Sequence, residues 1–134
     1  MNRNAEIHFG WIKFMYVYNA LTAGILGLGI ILVPKSLISI SKIPEQEPIV
    51  FGIIGSVYLS LGILSLLGLR SPLKFVPILL LQLLYKAVWV IGVILPLLIT
   101  GQLSIFAILV TVIFLTYIIG DLIAVPFSYI FARQ

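Results

Sequence analysis

Four long apolar runs constrain this chain more than any other feature. They cover about residues 14–33, 49–69, 75–99 and 103–127. A helix needs about 20 apolar residues to cross the hydrocarbon core of a bilayer. Because lipid offers no hydrogen-bond partner to a bare backbone, a chain crosses it only as helices or as a closed barrel. The runs predict an all-α fold, a four-transmembrane-helix bundle forming one integral membrane domain over residues 1–134.

The composition supports lipid as the main solvent of the folded chain. Of its 134 residues, 62% are hydrophobic and 9% are charged, whereas soluble domains carry about a quarter charged residues. A soluble fold of this size cannot bury so much apolar surface, because a large share of its surface stays in water. The lipid bilayer is therefore the first partner that the sequence predicts.

The connections between the runs predict how the helices are arranged. Residues 70–74 and 100–102 are short links, which are typical of antiparallel neighbours in a bundle. The first connection, residues 34–48, is longer and contains several apolar residues. We predict that it lies in the membrane interface; the alternative is that it forms a lid over a binding site. Gly92 and Pro96 are expected to kink the third helix near its outer end.

The basic residues predict the orientation in the membrane. One side of the predicted topology carries five of them: Arg3, Lys13, Arg70, Lys74 and Arg133. The other side carries Lys35 and Lys42, with Glu45 and Glu47 alongside. Cytoplasmic loops of membrane proteins carry an excess of lysine and arginine, so both termini are predicted to be cytoplasmic.

Small residues at helical spacing predict where the first two helices touch. In lipid, helices associate through close packing of small side chains rather than through apolar burial. The first run offers the pairs Ala20/Gly24 and Ala23/Gly27. The second offers two stripes, Gly52/Ser56/Ser60 and Gly55/Gly62. The main interpretation is packing of the two helices within one chain; the alternative is a homo-oligomer.

Several classes of function find no support in the sequence. The absence of cysteine excludes disulfides, thiol redox chemistry and cysteine metal sites, and a single histidine, His8, excludes bis-histidine haem ligation within one chain. The net charge of +4 is scattered, so no basic patch predicts nucleic-acid binding. No catalytic or phosphate-binding motif occurs, so neither catalytic residues nor a metal site is predicted, and no cofactor is indicated.

Two ionisable residues, Lys86 and Asp121, lie well inside the predicted spans. A charge at the centre of a bilayer costs about 3 kcal/mol on insertion scales, so each one needs a partner or a function. Gln82, Lys86 and Trp89 share a stripe of the third helix, and Tyr117 and Asp121 share a face of the fourth. Because side chains lean toward the N-terminus of their helix, Lys86 and Asp121 are predicted to converge into a buried ion pair.

Each of the four helices contributes a polar group to one layer near the midplane. At a rise of about 1.5 Å per residue, Lys86, Tyr117 and Tyr58 lie about 15 Å from the inner edge and Asn19 about 14 Å. The candidate ligand-binding residues of this layer are Asn19, Tyr58, Gln82, Lys86, Trp89, Tyr117 and Asp121. The layer has two interpretations: hydrogen-bonded packing that sets helix register, or a site for a small molecule or ion.

The overall layout resembles the DoxX-like group of small four-helix bacterial membrane proteins. The resemblance rests on the glycine-rich first helix ending at Val33-Pro34 and on the second helix, which reads Gly55-Ser-Val-Tyr-Leu-Ser-Leu-Gly62 and leads into Leu69-Arg70-Ser71-Pro72. It covers most of the chain and implies a bacterial inner membrane location. Some members of the group are linked to quinone-coupled oxidation of sulfur compounds. The resemblance assigns no functional residue in this sequence.

Three hypotheses for function follow. The first is a protein that binds or transports a small molecule at the polar layer, centred on Lys86. The second is a non-catalytic accessory or anchor subunit of a larger membrane complex, packing through its small-residue stripes. The third is a quinone-linked redox component whose tyrosine and tryptophan side chains line an exchangeable cofactor site.

Overall fold

The structure, a computed structural model, describes residues 7–133 and is helical throughout, with no strand in that range. Arg3, one of the residues that predict the orientation, lies outside it. Four helices are long and apolar enough to cross a membrane: α1 (Phe9–Leu32), α3 (Pro48–Arg70), α4 (Val76–Ile99) and α5 (Ile105–Ala124). Two short helices, α2 (Pro34–Ser41) and α6 (Phe127–Ile130), follow α1 and α5. The predicted all-α class with four membrane-length helices is confirmed.

The helix boundaries follow from local chemistry at each end. Glu47 caps α3, because its carboxylate accepts hydrogen bonds from Ile49 N at 3.2 Å and Val50 N at 2.8 Å. Ser104 caps α5, because its hydroxyl oxygen accepts a hydrogen bond from Ala107 N at 3.1 Å. α5 therefore begins at Ile105, two residues inside the predicted start of the fourth span. α5 ends at Ala124 rather than at the predicted residue 127, since the backbone before a proline is pushed out of helical geometry.

Most of the apolar surface of these helices faces outward. In the most apolar stretch of α5 only 17% of the residues are buried, and in that of α1 only 33% are. A soluble protein rarely exposes contiguous apolar surface on this scale. The outward faces are therefore the lipid-contacting surface of an integral membrane protein.

The chain divides into two compact units. Residues Tyr16–Phe75 form one, which contains most of α1 together with α2 and α3. The described residues before Tyr16 form the other with those after Phe75, which comprise α4, α5 and α6.

In the first unit α1 and α3 run antiparallel and touch through glycines. Gly24 lies on Gly62, and an added Cβ at Gly24 would sit 3.3 Å from the Gly62 Cα atom. Gly27 lies directly on the backbone of Leu59 and Gly55. Such close approach is possible only without side chains at the contact. The predicted packing of the first two helices through small residues is confirmed.

Only one of the two predicted stripes of α3 makes this contact. Gly55 and Gly62 face α1, whereas Gly52 has no atom within 4 Å of where its Cβ would be. Ser56 and Ser60 are exposed, and each hydroxyl donates to the carbonyl four residues earlier at 2.8 Å. The Gly52/Ser56/Ser60 stripe therefore does not pack on α1. A homo-oligomer, the alternative interpretation of the small residues, stays a prediction.

In the second unit α4 and α5 form an antiparallel pair joined by a short link. Gly101 in that link has a φ of +69°, a conformation that glycine adopts without strain. The first turns of α1 belong to this unit, and Met15 packs against Gly120 of α5. The backbone of α4 takes π-helical geometry over Val90–Ile94, two residues before Pro96. A proline removes one backbone donor and crowds the carbonyl four residues earlier, so this geometry is compatible with the predicted kink, which stays a prediction.

Residues 34–48 are partly helical rather than a plain loop. Pro34 begins α2 immediately after the chain breaks from α1 at Val33, and Lys42 closes α2 in a left-handed conformation at φ 55°. α2 has no buried residue, and Ile40 is 81% exposed. An apolar side chain so exposed is compatible with the interfacial location predicted for this segment, which stays a prediction.

Candidate functional site

The ammonium group of Lys86 lies at the centre of the polar side chains of the second unit. Lys86 projects from the middle of α4 and is 1% exposed. Its Nζ donates to Oε1 of Gln82, one turn earlier on the same helix, and to the hydroxyl of Tyr85 at 2.8 Å. Gln82 is itself completely buried. α4 thus supplies the lysine with two acceptors of its own.

Three aromatic rings surround the same ammonium group. Nζ lies 4.2 Å from the ring centroid of Tyr85, 5.0 Å from that of Phe114 and 4.0 Å from that of Tyr117. The face of an aromatic ring attracts a cation through its quadrupole, and the attraction strengthens where water is excluded. Phe114 and Tyr117 are three residues apart on α5, so one face of α5 closes the site over Lys86. The lysine charge is therefore stabilised by hydrogen bonds and by ring faces together.

Asp121 has a different environment. It lies one turn beyond Tyr117 on α5 and is 0% exposed. Neither of its carboxylate oxygens has a hydrogen-bond partner among the residues that the structure describes. Buried polar side-chain atoms in folded proteins nearly always have a partner, so an orphaned carboxylate calls for an explanation.

The predicted direct ion pair between Lys86 and Asp121 is wrong. The lysine reaches toward the N-terminus of α4, as predicted, but Gln82 and Tyr85 lie in that direction and take its donors. The charges of Lys86 and Asp121 interact electrostatically without a hydrogen bond between them. A flexible lysine side chain satisfies its donors with the nearest acceptors, and here those lie on its own helix.

Trp89 and Phe114 connect this site to the outer surface. Their ring centroids are 4.9 Å apart in an edge-to-face arrangement, and both side chains are half-buried. Phe114 also meets Tyr85 edge-to-face at 6.2 Å. Aromatic rings thus extend from the buried ammonium group to the outside of α4 and α5. The Lys86–Asp121 cluster consists of Gln82, Tyr85, Lys86, Trp89, Phe114, Tyr117 and Asp121.

The two remaining candidate residues belong to the first unit. Asn19 on α1 is buried, and its Nδ2 donates to Oγ of Ser65 at 2.5 Å and to the carbonyl of Leu61 at 3.3 Å. Ser65 donates to the same carbonyl at 2.7 Å. This arrangement ties α1 to α3 and accounts fully for the asparagine as a packing residue. Tyr58 on α3 is half-buried.

Three residues that complete these arrangements are not among the candidate residues: Tyr85, Phe114 and Ser65. Tyr85 precedes Lys86 directly, so it lies off the stripe that Gln82 and Lys86 share, and only the bending of the lysine side chain brings it into contact. Ser65 lies three residues after Gly62, on the stripe that faces α1. Extending the Gly55/Gly62 stripe by one turn would have identified it.

The donor set of the cluster narrows its chemistry. It offers one ammonium group, one carboxylate, one amide, one indole N–H and two phenol hydroxyls. No group of three histidine, cysteine or acidic residues that could hold a metal ion occurs within residues 7–133. Two of the ammonium donors point to Gln82 and Tyr85, whereas the carboxylate is an acceptor without a donor. Such a site can hold a ligand through hydrogen bonds and ring contacts.

Searches against protein-family models, curated proteins and solved structures found no match to this chain. The resemblance to the DoxX-like group therefore stays a prediction.

Proposed function

We propose that this protein binds a small molecule or ion inside the membrane at the Lys86–Asp121 cluster. The observation that carries the proposal is the Asp121 carboxylate, which is fully buried and accepts no hydrogen bond from the described residues. Burying a polar group without a partner costs about 1–3 kcal/mol, and more when the group is charged. A group that is retained at such a cost inside a membrane is expected to serve a function.

The alternative interpretation of the polar layer, hydrogen-bonded packing, accounts for Asn19 but not for Asp121. The asparagine joins two helices through Ser65 and Leu61, which is what a packing residue does. The Asp121 carboxylate makes no hydrogen bond between helices, and an unsatisfied polar group in a region of low dielectric constant is unfavourable. The two residues therefore have different roles although both lie deep in predicted spans.

The expected result is that the purified protein carries a bound small molecule that depends on Asp121. Native mass spectrometry from lipid nanodiscs would compare the wild type with Asp121→Asn, which removes the charge and keeps the shape. Ser56→Ala is the matched control, because Ser56 is an exposed polar residue of α3 outside the cluster. We expect an adduct on the wild type and on Ser56→Ala, and its loss from Asp121→Asn. The same mass distribution for all three proteins would contradict the proposal.

For the orientation we propose that both termini face the cytoplasm, in a bacterial inner membrane. The proposal is supported by the exposed basic residues Lys13 near the start of α1, Arg70 at the end of α3 and Lys74 in the following link. A fusion of green fluorescent protein after Gln134 is expected to fluoresce, and alkaline phosphatase inserted within residues 42–47 is expected to be active. Active phosphatase fused after Gln134 would reverse the topology.

A further inference from the structure

We infer that the ligand of the Lys86–Asp121 cluster is an uncharged, lipid-soluble compound that carries a hydroxyl group. Its hydroxyl donates a hydrogen bond to the carboxylate of Asp121, and its apolar body lies against Phe114 and Trp89. This inference rests on the proposed function and adds the chemical class of the ligand.

Charge balance excludes an ionic ligand. Lys86 as an ammonium group and Asp121 as a carboxylate together carry no net charge. A bound anion or cation would leave a net unit charge in a buried region of low dielectric constant, which is strongly unfavourable. A neutral compound leaves the balance unchanged.

The hydrogen-bonding capacity of the cluster requires a donor on the ligand. The carboxylate of Asp121 is an acceptor and has none of its capacity filled by the described side chains. Two of the three donors of Lys86 are directed to Gln82 and Tyr85. An ether or ketone therefore brings no group that Asp121 needs, whereas a hydroxyl makes a strong hydrogen bond to a charged acceptor.

The aromatic residues indicate where the rest of the ligand lies. Trp89 and Phe114 are half-buried and meet edge-to-face at 4.9 Å, and the Phe114 ring lies 5.0 Å from Nζ of Lys86. One turn further along α4 from Trp89, Val93 is 44% exposed and belongs to the lipid-facing surface. Aromatic faces accept a further ring in stacked or edge-to-face contact. A lipid-soluble compound can reach these rings sideways from the hydrocarbon without crossing a polar layer.

The test uses Trp89 as the reporter. The chain has two tryptophans, so Trp11→Phe leaves Trp89 alone; Trp11 is 46% exposed and lies outside the cluster. The probe is para-cresol, titrated into the protein in phosphatidylcholine nanodiscs, with excitation at the red edge of tryptophan absorption. Its control is para-methylanisole, which has the same ring and a methylated oxygen. We expect saturable quenching by cresol, with a Kd about tenfold or more below that of the anisole.

Charged analogues and variants complete the experiment. Para-toluate and para-methylbenzylammonium are expected to quench Trp89 with Kd values at least about tenfold above that of cresol. Asp121→Val should bring the Kd values of cresol and the anisole together, and Asp121→Asn, which keeps the shape, should narrow their difference. In each variant the Kd of cresol is compared with the Kd of the anisole. A general loss of binding caused by an altered fold is therefore not mistaken for a loss of preference for the hydroxyl group.

The outcomes separate this inference from the proposed function. Equal affinity for cresol and the anisole, or tighter binding of either ion, would overturn the inference, and an Asp121-dependent adduct in the mass spectrum would still support a binding site. If no probe binds saturably and no such adduct exists, both fail.

Discussion

Gly27→Ala is expected to lower the free energy of unfolding by about 2–3 kcal/mol, which is the upper range for an overpacked site. A Cβ at Gly27 would lie on the backbone nitrogen of Leu59, 2.7 Å from the carbonyl oxygen of Gly55 and 2.9 Å from the Leu59 Cα atom. These are backbone atoms of α3, so no side-chain rotation relieves the clash. The helices would have to separate, and the contacts along their glycine face would weaken together. Unfolding in mixed micelles with rising dodecyl sulfate content, followed by circular dichroism, measures the change.

Gly52→Ala is the matched control. Gly52 lies in α3 like the contact glycines, but its Cβ would meet no atom within 4 Å. Alanine is a better helix former than glycine by about 1 kcal/mol, so this variant should be unchanged or slightly more stable. If Gly27→Ala and Gly52→Ala shifted stability equally, the glycine contact between α1 and α3 would not exist in the protein in solution.

Spans and the small-residue contact could be predicted from the sequence because each depends on a local property. A helix that crosses a bilayer must be about 20 residues long and apolar, which a run of side chains shows directly. Glycine spacing indicates where backbones can approach, as Gly24 and Gly62 do. The stripe that would face α1 could not be chosen this way, because Gly52/Ser56/Ser60 and Gly55/Gly62 have equally small side chains.

Part of the membership of the candidate site could be predicted from the sequence, but its hydrogen bonds could not. Burial of Lys86 and Asp121 follows from their position within apolar runs, since a charge facing lipid is unfavourable. Whether they form a direct pair depends on the conformation of the lysine side chain, which has four rotatable bonds. Helical rise and side-chain lean place its base, but the position of the ammonium group depends on competing acceptors. Gln82 and Tyr85 are close to Lys86 in sequence as well as in space, and they accept its hydrogen bonds.

The environments of the two charges predict unequal effects when each is removed. Lys86→Met is expected to destabilise the protein by about 3 kcal/mol, because Asp121 then keeps neither a hydrogen bond nor a nearby cation. Asp121→Asn is expected to cost less, about 1–2 kcal/mol, because Lys86 loses its compensating charge but keeps Gln82, Tyr85 and its three aromatic neighbours. The same mixed-micelle unfolding titration measures both variants and their combination.

In the double variant, most of the loss caused by Lys86→Met should be recovered, because no uncompensated carboxylate remains. The coupling between the two changes should then be about 3 kcal/mol, within the range for groups that interact directly or through shared neighbours. If the loss of stability in the double variant equalled the sum of the two single losses to within about 0.5 kcal/mol, the two charges would be independent. If Asp121→Asn lowered the stability as much as Lys86→Met, Asp121 would be a packing residue and not a residue kept for binding. A stable Asp121→Asn variant that has lost its ligand is the combination expected of a functional carboxylate, since functional groups are commonly kept at the expense of stability.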